Sequence, residues 1–377
     1  MADLNLIKIA NYIRQNASAD YQKRVAELQD GDPIVTLSNP ILQYSTVKNE
    51  FAKGLINVIG ETIINRIAKF ENPLAKFKRG GKGLGIDTRE IAKGLVSGFN
   101  YEFTTDGVAK MFKLYPQEYA ECFHRLNRQR VFPLTFSEKE MKLAMQSWED
   151  LEKFVNDLTE TLYQSNYQEE YELMIQLIQS AVQNDGIKTI EIKEVTDQST
   201  GNDFIEVVKD IASSFNFRNA SNSPWGAKNP TTKILPVCSK DDTALILPYK
   251  IKNKLSVATL ASAFNKDELA FNVDNVTEVD GLAYIKKGDT GAAKYYAIDA
   301  VICDKNFFRV IDDPDNEVNG NDLPTARAYN RYLHIWQTLS TSPFFCVNAL
   351  VHEVKKADVP VDYFNNLIER NAVVVTE

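Results

Sequence analysis

The chain is 377 residues long, 44% hydrophobic and 25% charged, with 17 Gly and 13 Pro, which excludes a disordered or fibrous protein and allows one to three domains with real cores. Its formal charge of −8 argues against a dedicated nucleic-acid binder, which carries a basic face. The longest apolar runs, such as TALIL and AVIC, are strand-sized and the N-terminus has no signal-peptide pattern, so neither a membrane span nor a secreted protein is expected.

From the N-terminus, Leu6, Ile7, Ile9, Tyr12 and Ile13 recur at helical intervals between Leu4 and Leu28, and a Gly31-Asp32-Pro33 turn breaks the pattern. Helical spacing returns over 51–70 through Phe51, Leu55, Val58, Ile59, Ile63, Ile64 and Ile67. Asn72-Pro73 then introduces KFKRGGKGLG, residues 76–85, with four Gly and four basic residues in ten positions. Gly80, Gly81, Gly83, Gly85, Gly94 and Gly98 recur too often for a stable helix or a packed central strand. The segment reads as a basic, glycine-jointed projection.

SEKE at 137–140 offers a capping box, with Ser137 as N-cap and Glu140 three residues on. Met141, Ala144, Met145, Trp148, Leu151, Val155, Leu158 and Leu162 follow at three- and four-residue steps, which predicts one apolar stripe on a helix of about 25 residues. A second amphipathic run, Tyr171 to Val182, is expected to stop at Asn184-Asp185-Gly186, with Gly186 left-handed. Beyond it, KTIEIKEV, TALILPYKI, AIDAVIC and FFRVID read as strands, and DFIEVVKDIASSF and SVATLASAFN as helices. RYLHIWQTLSTSPFFCVNALVHEV reads as a strand hairpin turning at Ser340 to Pro343. The class is α+β.

Enzyme chemistry is hard to find. GGKGLG lacks the GxxxxGK[ST] spacing of a phosphate-binding loop, and no strand feeds it directly into a helix. Cys122, Cys238, Cys303 and Cys346 have no CxxC spacing and read as buried free thiols of a reducing compartment. His124, His334 and His352 are far apart, so no metal site is expected. The acidic DDPDNEVNGND, 312–322, has Val318 and Pro324 where a calcium loop requires Gly and Glu, and reads as a solvated turn. No cofactor is implied.

The charges point elsewhere. Between Arg66 and Lys93 eight basic residues face three acidic ones, a net +5, whereas between Ser137 and Glu172 ten acidic residues face three basic ones, a net −7. Either set is explained by solvation alone. The sharper reading is that Lys76, Lys78, Arg79 and Lys82 of one subunit meet Glu149, Asp150, Glu152 and Asp157 of another. Weak surface pairs, each contributing about 0.2–1 kcal/mol, suit reversible assembly into rings and shells.

NPLAKFKRGGKGLGIDTREI, FHRLNRQ, SWEDLEKFV, YELM, LASAFN with NVTEVDG, AVICDKNFFRVIDD and YLHIWQTLSTSPF appear in an order that resembles the major capsid protein of small protein-primed podophages, the phi-twenty-nine group. The resemblance spans about residues 70 to 350. It implies the Hong Kong ninety-seven coat fold, with an N-terminal arm at 1–65 and an extended E-loop at 66–115. A peripheral domain with a long spine helix follows at 116–190, an axial domain at 191–330, and return strands to the peripheral domain with a tail at 331–377. The implied function is a virion subunit, made in the host cytoplasm, that forms the pentamers and hexamers of a head enclosing double-stranded DNA. Its partners would be other copies of itself, a scaffolding protein, a portal at one vertex and non-specifically contacted DNA. An ornamental immunoglobulin-like domain and a loop-lysine crosslink are not expected. The alternatives are a minor virion protein, or an enzyme acting on nucleotides or nucleic acid through the basic loop.

Overall fold

The computed structural model describes residues 3–29, 31–44, 46–51, 54, 71–79, 87–100, 110–255, 275–288, 293–312, 318–323 and 327–360. In chain order these contain α1 (Asp3–Asn16), α2 (Ala19–Arg24), α3 (Ile34–Gln43), β1 (Lys78–Arg79), β2 (Thr88–Lys93), β3 (Tyr119–His124) and β4 (Arg128–Ser137). There follow α4 (Glu138–Ala144), α5 (Trp148–Gln183), β5 (Lys188–Glu191), α6 (Gln198–Phe215), α7 (Pro224–Lys228), β6 (Thr243–Pro248) and α8 (Tyr249–Lys254). The last strands are β7 (Val276–Val279), β8 (Tyr284–Lys287), β9 (Lys294–Asp304), β10 (Phe308–Asp312), β11 (Val318–Leu323), β12 (Ala328–Thr341) and β13 (Val347–Val354). The class is α+β, as the residue patterns require. The helices expected over 51–70 and at SVATLASAFN lie almost wholly outside the described residues.

Two compact units share the chain: residues 1–72, 128–171 and 312–336 make the first, and 73–127, 172–311 and 337–377 the second. In the first unit the N-terminal helices do not trail away but pack. Ser18 caps α2 by accepting from the Tyr21 N–H, and its own hydroxyl donates to Glu50 at 2.8 Å. Asn11 holds the segment after α2 from both sides, donating to the Leu28 carbonyl and accepting from its N–H. Ile13, Tyr21, Leu37, Ile41 and Phe51 of this region share one buried cluster with Met145 and Leu151.

The capping box forms as read, Ser137 Oγ accepting from Glu140 N–H while the Glu140 carboxylate takes the Ser137 N–H. The helix it starts is short, however. α4 ends at Ala144, and Ser147 supplies a second cap by accepting from the Asp150 N–H at 3.0 Å. From there α5 runs 36 residues, about 54 Å at 1.5 Å per residue, and merges the two amphipathic runs that the sequence separates. β4 and β11 pair with β12, whose burial alternates along most of its length. Part of the acidic segment expected to be a turn is therefore β11, in antiparallel register from Val318↔Leu333 to Leu323↔Ala328, which covers an edge of β12.

In the second unit α5 ends where expected, but Asp185 and not Gly186 is left-handed, at φ 54°. Gly186 serves by close approach: its N–H donates to Ala181 O at 2.7 Å, and a Cβ there would stand 3.0 Å from that oxygen. A six-stranded sheet in the order β5-β13-β9-β6-β7, with β8 on β9, forms the centre. β6 is buried at every position, so it reads as a continuous apolar run rather than an alternating one. Pro248 ends it and stands at the N-cap of α8, so TALILPYKI is strand and then helix. Asp197 and Thr200 box the start of α6, whose Phe204, Val208, Ala212 and Phe215 pack on Leu245, Ile302 and Leu350 of the sheet. The last two long strands do not form the expected hairpin. β12 pairs with β11 and β4, while β13 pairs antiparallel with β9 and parallel with β5. The linking residues are held inside instead, Ser342 N–H by Phe307 O, Pro343 O by Trp225 N–H and Cys346 O by Asp304 N–H.

Candidate subunit-contact ribbon

β2 and β3 form a two-stranded antiparallel ribbon of their own, in register from Thr88↔His124 to Lys93↔Tyr119. Residues opposite one another share a face, which sorts the side chains cleanly. Arg89, Ile91 and Lys93 with Tyr119, Glu121 and Phe123 are exposed, and Thr88, Glu90 and Ala92 with Ala120, Cys122 and His124 are half-buried or buried. The inner face packs through Ala120 on Ile234 and Phe344, joined by Ala92, Cys122 and Trp225.

Both ends of the ribbon are pinned. At one end Gly94 N–H donates to Glu118 O, Leu95 N–H to Lys233 O, and the Glu118 carboxylate accepts from Lys233 N–H at 2.7 Å and from the Thr232 hydroxyl. A Cβ on Gly94 would meet the Glu118 and Lys233 Cβ atoms at 3.1 Å, so any larger residue there would push these neighbours back by a few tenths of an ångström. At the other end Glu90 receives Arg309 at 2.7 Å and His124 at 2.9 Å, and the other His124 nitrogen lies 2.8 Å from Ser340 Oγ. Burial alone would raise the Glu90 carboxyl, but the hydrogen bonds from His124 and Arg309 hold it down at about 2. Burial, and then the Glu90 charge, push the Cys122 thiol up to about 12.

The outer face and the segment beyond it are unusually apolar. Nineteen large hydrophobic side chains are exposed among the described residues, and ten of them lie between 91 and 123. They include Leu95, Val96, Phe99, Met111 and Tyr115, and above all Phe112 and Leu114, which are 84% and 89% exposed. Among the described residues this is a concentration of exposed apolar surface, not the single scattered side chains normal on a protein exterior.

The residues singled out by charge are placed differently. Lys76 is exposed, its Nζ 5.6 Å from the ring centre of Phe77. Lys78 and Arg79 form β1, paired in parallel with Val310 and Ile311 of β10, so the basic segment begins tethered to its own subunit. Lys82 lies outside the described residues. Glu149 and Asp150 are exposed in the first turn of α5, where negative charge also favours the helix end; Glu152 follows on the same helix, and Asp157 is exposed further along it. The basic and acidic sets fall in separate units.

A model of the Phi29-like phage major capsid protein family matches residues 10–351. The chain belongs to that family. It is 30% identical to the major capsid protein of Bacillus phage PZA over 89% of this chain and 70% of that protein, and 29% identical to that of Bacillus phage B103 over 93% and 73%. A chain in the capsid structure of Staphylococcus phage Andhra shares the fold with a TM-score of 0.60 at 14% identity, covering 78% of this chain and 87% of that one. The fold is thus that of tailed-phage coat proteins, of the Hong Kong ninety-seven type. Proteins of the Phi29-like family are structural subunits and not enzymes, so neither the enzyme nor the minor-component reading is favoured. No helix among the described residues is long and apolar enough to cross a membrane.

Charge counting missed the ribbon's apolar face. The signal lies in TREIAK and YAECFH, which alternate with period two. Their outward positions mix charge with Ile91, Tyr119 and Phe123, so neither strand has a purely polar side.

Proposed function

We infer that this chain is the major capsid protein of a bacteriophage, assembling with copies of itself into the head shell of the virion. The observation that supports the mechanism is the concentration of exposed apolar side chains between Ile91 and Phe123, on a ribbon pinned at both ends and on the segment it carries. Packed against a neighbouring subunit, these side chains supply the affinity through apolar burial, and aromatic anchors such as Phe112 dominate it. The ribbon acts as the E-loop. In this reading the E-loop runs on from 66–115 to the end of β3 at His124.

The remaining domains are assigned accordingly. Residues 1–65 form the arm region, the chain from the end of the ribbon to 190 the peripheral domain with α5 as its spine, 191–330 the axial domain at the capsomer centre, and 331–377 the return strands and tail. Capsomers are pentamers and hexamers, assembled with a scaffolding protein, interrupted by a portal at one vertex and filled with double-stranded DNA. Lys76, Lys78, Arg79 and Lys82 steer the ribbon toward Glu149, Asp150, Glu152 and Asp157 of a neighbour, adding about 0.2–1 kcal/mol per pair. Co-expression with a scaffolding partner tests the reading. Shells seen by electron microscopy with the native chain and lost with Phe112→Ser plus Leu114→Ser are expected; shells of normal yield from that variant would overturn the ribbon's role.

A further inference from the structure

We propose that Glu90, Cys122 and His124, at the root of the ribbon, form a zinc site. The strand register brings them together: Glu90 and Cys122 are directly opposed, and His124 lies two residues on, on the same inward face. One donor atom from each falls in a common cluster, with Cys122 Sγ to His124 Nε2 at 3.4 Å, Cys122 Sγ to Glu90 Oε2 at 3.7 Å and His124 Nε2 to Glu90 Oε2 at 2.9 Å. Around a tetrahedral ion bonded to sulfur at about 2.3 Å and to nitrogen and oxygen at about 2.0–2.2 Å, such atoms stand roughly 3.3–3.7 Å apart. Two of the three edges already have that length. The third, now closed by a hydrogen bond, opens by about half an ångström as the ion enters.

The groups behind the donors suit the same purpose. A zinc-bound histidine uses its second nitrogen on an outer partner that fixes ring and tautomer, and Ser340 Oγ stands 2.8 Å from His124 Nδ1. Arg309 holds Glu90 Oε1 at 2.7 Å, which turns Oε2 toward the cluster as a single-oxygen ligand. On binding, the Cys122 thiol gives its proton to solvent as the sulfur–zinc bond forms. His124 exchanges its Nε2 proton for one on Nδ1, donated to Ser340, and the fourth position is left to water. Thiolate, imidazole and carboxylate together select zinc over the oxygen-preferring magnesium and calcium. Bound there, the ion clips the two ribbon strands together beside Arg309 and Ser340, fixing the angle at which the projecting segment leaves its subunit. The sequence hides the site because Glu90 stands 32 residues from Cys122.

The test uses the purified full chain, reduced and freed of metal, titrated with cobalt(II) and then zinc. The expected result is a thiolate-to-cobalt charge-transfer band with intense tetrahedral visible bands, saturating at one equivalent and bleached by zinc, together with a higher thermal midpoint in zinc than in chelator. Cys122→Ser abolishes the charge-transfer band, and Ser340→Ala weakens zinc binding by about 10-fold or more. No charge-transfer band in the native chain overturns the proposal whether or not the variants fold. A band that persists in Cys122→Ser overturns it equally, because the sulfur ligand would then lie elsewhere.

Discussion

The central sheet of the second unit and the β2–β3 ribbon are built from similar strand-forming residues, yet they treat apolar side chains in opposite ways. In β6 and the latter half of β9 every side chain is buried, and Ile246, Val301 and Ile302 have no exposed surface. On the ribbon and the segment it carries, Ile91, Phe112, Leu114 and Phe123 stand in solvent. The sheet's apolar surface is consumed in folding the subunit, whereas the ribbon's stays exposed, available for the contact we propose with a second copy. One chain thus keeps two ledgers of hydrophobic surface, one for stability and one for assembly.

Mutations can set the two apart. Leu350→Ala, beneath α6, removes a fully buried side chain and is expected to lower unfolding free energy by about 2–5 kcal/mol in denaturant melts. Phe112→Ser with Leu114→Ser is expected to change the same melt by less than about 0.5 kcal/mol per site while removing about 2 kcal/mol or more of contact free energy per subunit, read as lost shells in sedimentation. If this variant instead destabilised the monomer as Leu350→Ala does, the separation would fail.

Acid sharpens the boundary between the two regions at the ribbon's root. Glu90 is held at about 2, below its ordinary 4.5, so its contribution is full above pH 4.5 and disappears as pH falls toward 2. Loss of about 2 kcal/mol across that window is expected in chelator, seen as faster proteolysis of the ribbon, and Glu90→Gln should flatten the dependence. Ser137→Ala, which removes the cap of α4, is expected to cost about 1 kcal/mol in the first unit with assembly contacts intact. The smallest effect belongs to Lys76, Lys78, Arg79 and Lys82 replaced together by Gln. Assembly should weaken modestly and lose its salt dependence, and an unchanged response to salt would remove electrostatic steering from the account.

Local chemistry was legible where one residue type answers one need. Ser137 and Glu140 announced a helix start, TALIL a buried strand, and the ordered segments from NPLAKF to WQTLS a coat protein. Legibility failed where two local signals competed. Ser147 caps a second helix inside one continuous apolar stripe, so the stripe predicted one helix where there are two. STSPF carries turn residues, yet β12 and β13 enter different sheets, because β9 offers β13 a partner strand whose latter half is buried and the connection satisfies its polar groups internally. Lys78 and Arg79 stand out by charge, although their backbone is tied into β1, and the exposed apolar surface lies further along the chain, in side chains that composition alone assigns to a core.

The most direct test of the central claim is hydroxyl-radical footprinting of Met111, Phe112, Leu114, Tyr115 and Tyr119 in free subunits and in assembled shells. Rapid oxidation in the free subunit and strong protection in the shell are the predicted result. Equal oxidation in both states would mean that the ribbon grips no neighbour, and would contradict the account.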